Sequence, residues 1–169
     1  MTDSGFSIDV NVEAGNWAKE LPNATALAKR AIGAVCAALD GVPAHAEVSV
    51  LLTDDVHQRI LNRDWRGQDK STNVLSFPGD DFDDVPDDAL NGAPILLGDI
   101  SVALEITNHE ATDQQKSLAD HFCHLVVHGM LHLLGFDHET QAQADEMEPL
   151  EIEILASLGI ASPYADRID

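Results

Sequence analysis

The sequence predicts an α+β fold, with a single small mixed β-sheet of about four strands packed with helices. Two observations carry this. Four short runs alternate apolar and polar residues or are compactly apolar, as strands are. Longer segments between and after them repeat apolar residues at helical spacing, in the order βαβαββααα.

Phe6, Ile8, Val10 and Val12 alternate with polar residues, which predicts a strand over 5–12. Pro22 and Asn23 open a helix to about Asp40, with Asn23 as N-cap and Gly41 as its stop. Residues 47–53, EVSVLLT, read as the second strand. Asp55 and Gln58, three apart, resemble a capping box for a short helix carrying Val56, Ile60 and Leu61. TNVLSF at 72–77 and ILLGDISV at 95–102 read as two more strands. Between them, six aspartates fall within GDDFDDVPDDALNG, a solvated acidic loop. That loop lacks the glycine and closing glutamate of a calcium loop.

Residues 103–113 are compatible with helix. Residues 115–134 predict a stronger one, with Leu118, Phe122, Leu125, Val126 and Leu133 on its apolar face. Thr140 and Gln143 form a second capping box before a last helix ending near Gly159. There is no internal repeat and no dividing linker, so residues 1–169 are expected to form a single domain.

Apolar residues make up 44% and charged residues 23% of the chain, which excludes disorder throughout. The charge balance is unusual: 9 basic against 30 acidic residues, a net −21. Such acidity argues against a nonspecific grip on DNA or an anionic membrane, while leaving room for a local basic patch. Cys36 and Cys123 lie in apolar helical contexts without CxxC spacing, which excludes a disulfide framework and suggests a reducing compartment. The N-terminus has neither the basic region nor the apolar core of a signal peptide. The longest apolar run, residues 31–39, is far short of the roughly 20 residues a bilayer span needs. A soluble, cytoplasmic protein is expected.

Five of the eight histidines crowd into residues 121–138. His128 and His132 are four apart on the predicted helix, so both imidazoles leave one face and can share a metal ion. Gly135 can take the left-handed conformation that ends a helix, and the turn after it can return His138 towards the same ion. Three histidines leave a fourth position open, as in a catalytic zinc site. Zinc suits three imidazoles, although nickel and copper also bind such sites tightly.

The spacing is also that of the metzincin peptidases, HExxHxxGxxH, but Gly129 stands where those enzymes carry a glutamate general base. A zincin-like metal-site helix is therefore expected without the peptidase chemistry. His121 and His124 either extend this polar face behind the ligands or satisfy a partly buried helix face. Asp137 and Glu139 either hold an imidazole N–H or are ordinary helix-start acids.

Arg63, Arg66 and Lys70 fall within eight positions of an acidic chain, beside Trp65. Arginine can grip phosphate with its planar fork, and tryptophan offers a stacking face. A turn with locally paired charges is the alternative.

LNRDWRGQDKSTNVLSFP, LLGDISV and HLVVHGMLHLLGFDH, in that order, resemble the YbeY family of bacterial metal-dependent endoribonucleases. The resemblance runs from about residue 47 to Tyr164. It implies one zinc per chain on His128, His132 and His138, and a functional arginine at Arg66. Trp65 and Phe136 stand where tyrosine is usual, and Ser71 where proline is common. The acidic insert at 80–93 and the net charge are larger departures. The implied function is single-strand-specific RNA cleavage in 3′-end maturation of small-subunit ribosomal RNA and in ribosome quality control. The implied partners are a small-subunit ribosomal protein and an Era-type GTPase.

The mechanism expected is metal-assisted phosphodiester hydrolysis, with Arg66 as catalytic residue holding the scissile phosphate and the charge developing on it. A non-catalytic ribosome-assembly factor with a structural metal is the competing reading, and a metzincin-like peptidase the third.

Overall fold

The computed structural model describes residues 7–39, 42, 46–79, 95–136 and 140–162. Along these run β1 (Ser7–Val12), α1 (Trp17–Glu20), α2 (Ala24–Ala38), β2 (Ala46–Thr53) and α3 (Asp55–Arg66). They are followed by β3 (Val74–Pro78), β4 (Ile95–Ala103), α4 (Leu104–Asp113), α5 (Leu118–Leu133) and α6 (Gln141–Ser157). The predicted stop at Gly41 and the acidic segment at 80–93 lie outside the described residues.

The sheet is mixed, as expected, with strand order β1-β2-β4-β3. β1, β2 and β4 are parallel and β3 is antiparallel to β4. Ala46, Val48, Val50 and Leu52 of β2 alternate into the core. With Ile100 and Val102 of β4 they make one continuous apolar face. The helices bury that face: α2 contributes Ala28, Ala31, Ile32 and Val35, and α5 contributes Phe122, Val126 and Met130. α5 is the central helix, packed against β3, β4, α2, α4 and α6. It is accordingly apolar on most of its circumference, which is why its pattern was strong in the sequence.

The one-turn helix α1 was not anticipated, because four residues are too few to show a period. Trp17 anchors it: the indole is 1% exposed, meets Phe122 edge-on at 5.5 Å, and donates Nε1–H to the Thr53 carbonyl at 3.0 Å.

Three local expectations are corrected or sharpened. The cap of α3 is Asp54, whose Oδ1 accepts from the His57 amide at 2.9 Å, rather than the pair Asp55 and Gln58. Gln58 points inward, where it is fully buried. Its Oε1 accepts from Ser101 Oγ at 2.6 Å and its Nε2 donates to the Ser101 carbonyl at 2.9 Å. Asn23 precedes α2 without a side-chain cap bond. The helix predicted from 115 starts at Leu118, because Gln115 has φ 58° and Ser117 Oγ accepts from the Asp120 amide at 3.0 Å. The Thr140–Gln143 capping box forms in both directions, each bond 3.1 Å.

Gln58 ties α3 to the sheet through a residue whose own polar groups are buried. Gln58→Ala leaves the Ser101 hydroxyl and carbonyl without that partner, and should cost about 2–4 kcal/mol in chemical denaturation. A loss under about 0.5 kcal/mol would contradict this account of how α3 is held.

Candidate functional site

Four imidazoles run along one face of α5. His121, His124, His128 and His132 are spaced three, four and four apart, so they stack turn upon turn. Successive ring centroids lie 6.0, 6.2 and 4.5 Å apart. The last pair is distinct: Nε2 of His128 faces Nε2 of His132 at 2.9 Å.

The opposite nitrogens explain the facing pair. His132 Nδ1 lies 2.9 Å from the Phe136 carbonyl, which can only accept, so this nitrogen carries the proton. His128 Nδ1 lies 2.8 Å from Glu151 Oε2. Donation to a carboxylate fixes that tautomer in the same way. Both Nε2 atoms then turn lone pairs towards one point, an arrangement that a cation satisfies. The Phe136 carbonyl is delivered by the turn at Gly135, which has φ 101° as its position required. The Gly135 and Phe136 amides close the helix on the His132 and Leu131 carbonyls, both at 3.0 Å. His138, Asp137 and Glu139 lie outside the described residues.

Glu151 was not singled out in the sequence. It is fully buried, and its Oε2 also lies 3.2 Å from His124 Nε2. A carboxylate is rarely buried without such partners. The signal was present: Glu151 interrupts the apolar stripe of Met147, Ile154 and Leu155 on α6. His124, His128 and Glu151 each offer a ligand atom within 4.8 Å of one another, a cluster that could hold a metal. Those distances are also the ones that carboxylate–imidazole hydrogen bonds produce.

Gly129, where the peptidase motif has its glutamate, is pressed against the sheet. A Cβ there would lie 3.0 Å from Ile100 Cγ2 and 3.1 Å from Ser76 Oγ. Ser76 Oγ donates to the Gly129 carbonyl at 3.1 Å, fixing the approach.

A cleft of about 1340 Å³ runs between α5 and β3 and is lined by His121, His124, His128 and His132. Arg66, Lys70 and Lys116 also line it. Arg66 Nη2 donates to the Ser76 carbonyl at 2.8 Å. The other arginines of α3 are paired: Arg59 with Asp69 at 2.8 Å and Arg63 with Asp64 at 3.1 Å. Arg66 has no such carboxylate among the described residues. The basic cluster is thus partly the locally paired turn that composition suggested, with Arg66 set apart. Trp65 is 73% exposed and edge-on to Phe77, off the cleft lining.

Farther along the cleft, His121 is buried and bonds Glu110 Oε1 through Nε2 at 2.9 Å. Burial holds its pKa below the ordinary imidazole value despite the carboxylate, so the ring is neutral at neutral pH. Burial raises both thiols to about 11, which leaves Cys36 and Cys123 without thiolate character.

A family model described as Endoribonuclease YbeY matches residues 11–159. The Endoribonuclease YbeY of Paramagnetospirillum magneticum is 48% identical over 162 residues, covering 96% of this chain and 98% of its own. That of Azorhizobium caulinodans is 50% identical over 161 residues, covering 95% and 97%. The solution structure of a Thermotoga maritima protein, TM1509, superposes with a TM-score of 0.53 at 25% identity, covering 90% of this chain and 91% of that one.

The tight seat of Gly129 yields a prediction. Gly129→Glu should unfold more than about 5 °C below the wild type, since overpacking and a buried carboxylate together cost several kcal/mol. It should also gain no activity on a peptide panel. A stable variant that cuts peptides would contradict the packing argument.

Proposed function

The chain belongs to the YbeY family of endoribonucleases, and we propose that it is a zinc-dependent hydrolase of single-stranded RNA. Its role on this reading is 3′-end maturation of small-subunit ribosomal RNA and ribosome quality control, in the cytoplasm. One zinc ion per chain is assigned to His128, His132 and His138. The observation that carries the assignment is the Nε2 pair facing at 2.9 Å in the cleft that also holds Arg66. We prefer this pair to the cluster containing Glu151, because Glu151 and the Phe136 carbonyl already hold the Nδ1 protons.

When bound, the ion supplies Lewis acidity, polarising a phosphate oxygen or activating a water molecule. The chain's own residues orient the substrate. Ser76 anchors one guanidinium nitrogen of Arg66, and on this reading the remaining N–H groups grip the scissile phosphate. The same charge opposes the negative charge that grows on the phosphate as it is attacked. Glu151 and Phe136 keep the two imidazoles in register.

The net charge of −21 bears on how RNA arrives. Bulk attraction is absent, so binding rests on the cleft cations Arg66 and Lys70, or on delivery by a partner. A small-subunit ribosomal protein and an Era-type GTPase are the partners proposed. No described helix is long and apolar enough to cross a membrane.

Metal-analysed wild type should cut single-stranded RNA, and His132→Ala prepared identically should not. Arg66→Ala should keep full metal content while kcat falls about 10²–10³-fold, the usual effect of losing one charge-stabilising donor. Cleavage by wild type and His132→Ala alike would overturn the metal role. An unchanged kcat in Arg66→Ala would remove the arginine from the chemistry. No cleavage by any form would favour an assembly factor.

A further inference from the structure

Glu110 is an odd residue to line a cleft for a polyanion. Lining acids repel phosphates, so this carboxylate lowers affinity unless it makes a specific contact. Its Oε1 accepts from Asn73 Nδ2 at 3.0 Å and from His121 Nε2 at 2.9 Å. Two donors fill the lone pairs of that oxygen. Oε2 has no hydrogen-bond partner among the described residues, and the side chain is 29% exposed on the cleft.

The arrangement is rigid. Asn73 Oδ1 accepts from the Val74 amide at 2.6 Å, which fixes its amide so that Nδ2 must face Glu110. The His121 side chain is 4% exposed and cannot swing away. His121 precedes His128 by seven residues, about 10 Å along the helix axis. Glu110, bonded to His121, therefore stands beside the cleft about two helical turns of α5 from His128. Lys116 lines the same cleft.

We propose that Glu110 is a specificity residue: Oε2 accepts a hydrogen bond from a donor on a nucleotide flanking the scissile phosphate. The donor is a 2′-hydroxyl or a base N–H, both of which an unpaired strand presents. His121 and Asn73 are positioning residues for it. The inference rests on the endoribonuclease reading above.

Glu110→Gln is the informative variant. Glutamine is isosteric, and Asn73 and His121 hold its oxygen where Oε1 sits. Its NH₂ then faces the cleft, turning an acceptor into a donor. The experiment measures kcat/KM on one cleavable RNA and on copies with one donor deleted at a time. In one arm each flanking ribose is made 2′-deoxy. In the other, single base amino groups are removed, as in inosine for guanosine.

For the wild type, one flanking deletion should cost about tenfold, the scale of a hydrogen bond to a charged acceptor. In Glu110→Gln the same deletion should cost less than twofold, because the contact is already absent. The arm that shows the effect identifies the donor. A wild type that cuts RNA yet is indifferent to every flanking deletion overturns the proposal and leaves the hydrolase reading standing. The same holds if the deletion costs Glu110→Gln as much as the wild type. A wild type that cuts no RNA overturns both. The wild-type panel decides the matter even if the variant fails to fold.

Discussion

The buried carboxylate of Glu151 is the constraint on which the site depends. Sunk between α5 and α6, it would be costly without donors, and two imidazoles supply them. That pairing pins the last helix to the central one. It also fixes which nitrogen of His128 carries the proton, and so which nitrogen faces His132. The Phe136 carbonyl does the same for His132 from the other side, and it arrives there only because the chain turns at Gly135. A donor pair that looks like a property of two histidines is therefore a property of three segments: two helices and the turn after one of them.

The sheet sets the second constraint. α5 approaches β3 and β4 so closely at Gly129 that a Cβ there would press on Ile100 and Ser76 at 3.0 and 3.1 Å, and Ser76 joins the two by a hydrogen bond. The carbonyl of Ser76 meanwhile holds Arg66. One edge-strand residue thus fixes both the depth of α5 and the position of the cleft's arginine. The histidine spacing shared with a peptidase motif sits here in a scaffold that crowds any side chain at the position of the peptidase base. Membership of an endoribonuclease family accords with that crowding.

Much of the fold was legible because its signals are local. Alternation gave the strands, Thr140 and Gln143 gave a cap, and the apolar face from Leu118 to Leu133 with Gly135 after it gave α5 and its turn. The misses share a cause. Gln58 bonds a strand residue 43 positions away, and Glu151 meets His128 from 23 positions away. Neither distance leaves a periodic mark. What a sequence can show is an inconsistency: a carboxylate inside an apolar stripe, as at Glu151. Glu110 gives less even than that, since a half-exposed acid on a surface helix is ordinary until its neighbours are known. Arg66 was singled out by resemblance, and its separation from the paired Arg59 and Arg63 required the structure.

Anomalous diffraction from crystals of the zinc-loaded protein distinguishes the two donor sets. One peak per chain is expected, bonded to Nε2 of both His128 and His132, with Glu151 hydrogen-bonded behind His128. A peak bonded to His124, His128 and a Glu151 oxygen would contradict that expectation. Glu151 would then be a ligand rather than the group that orients one.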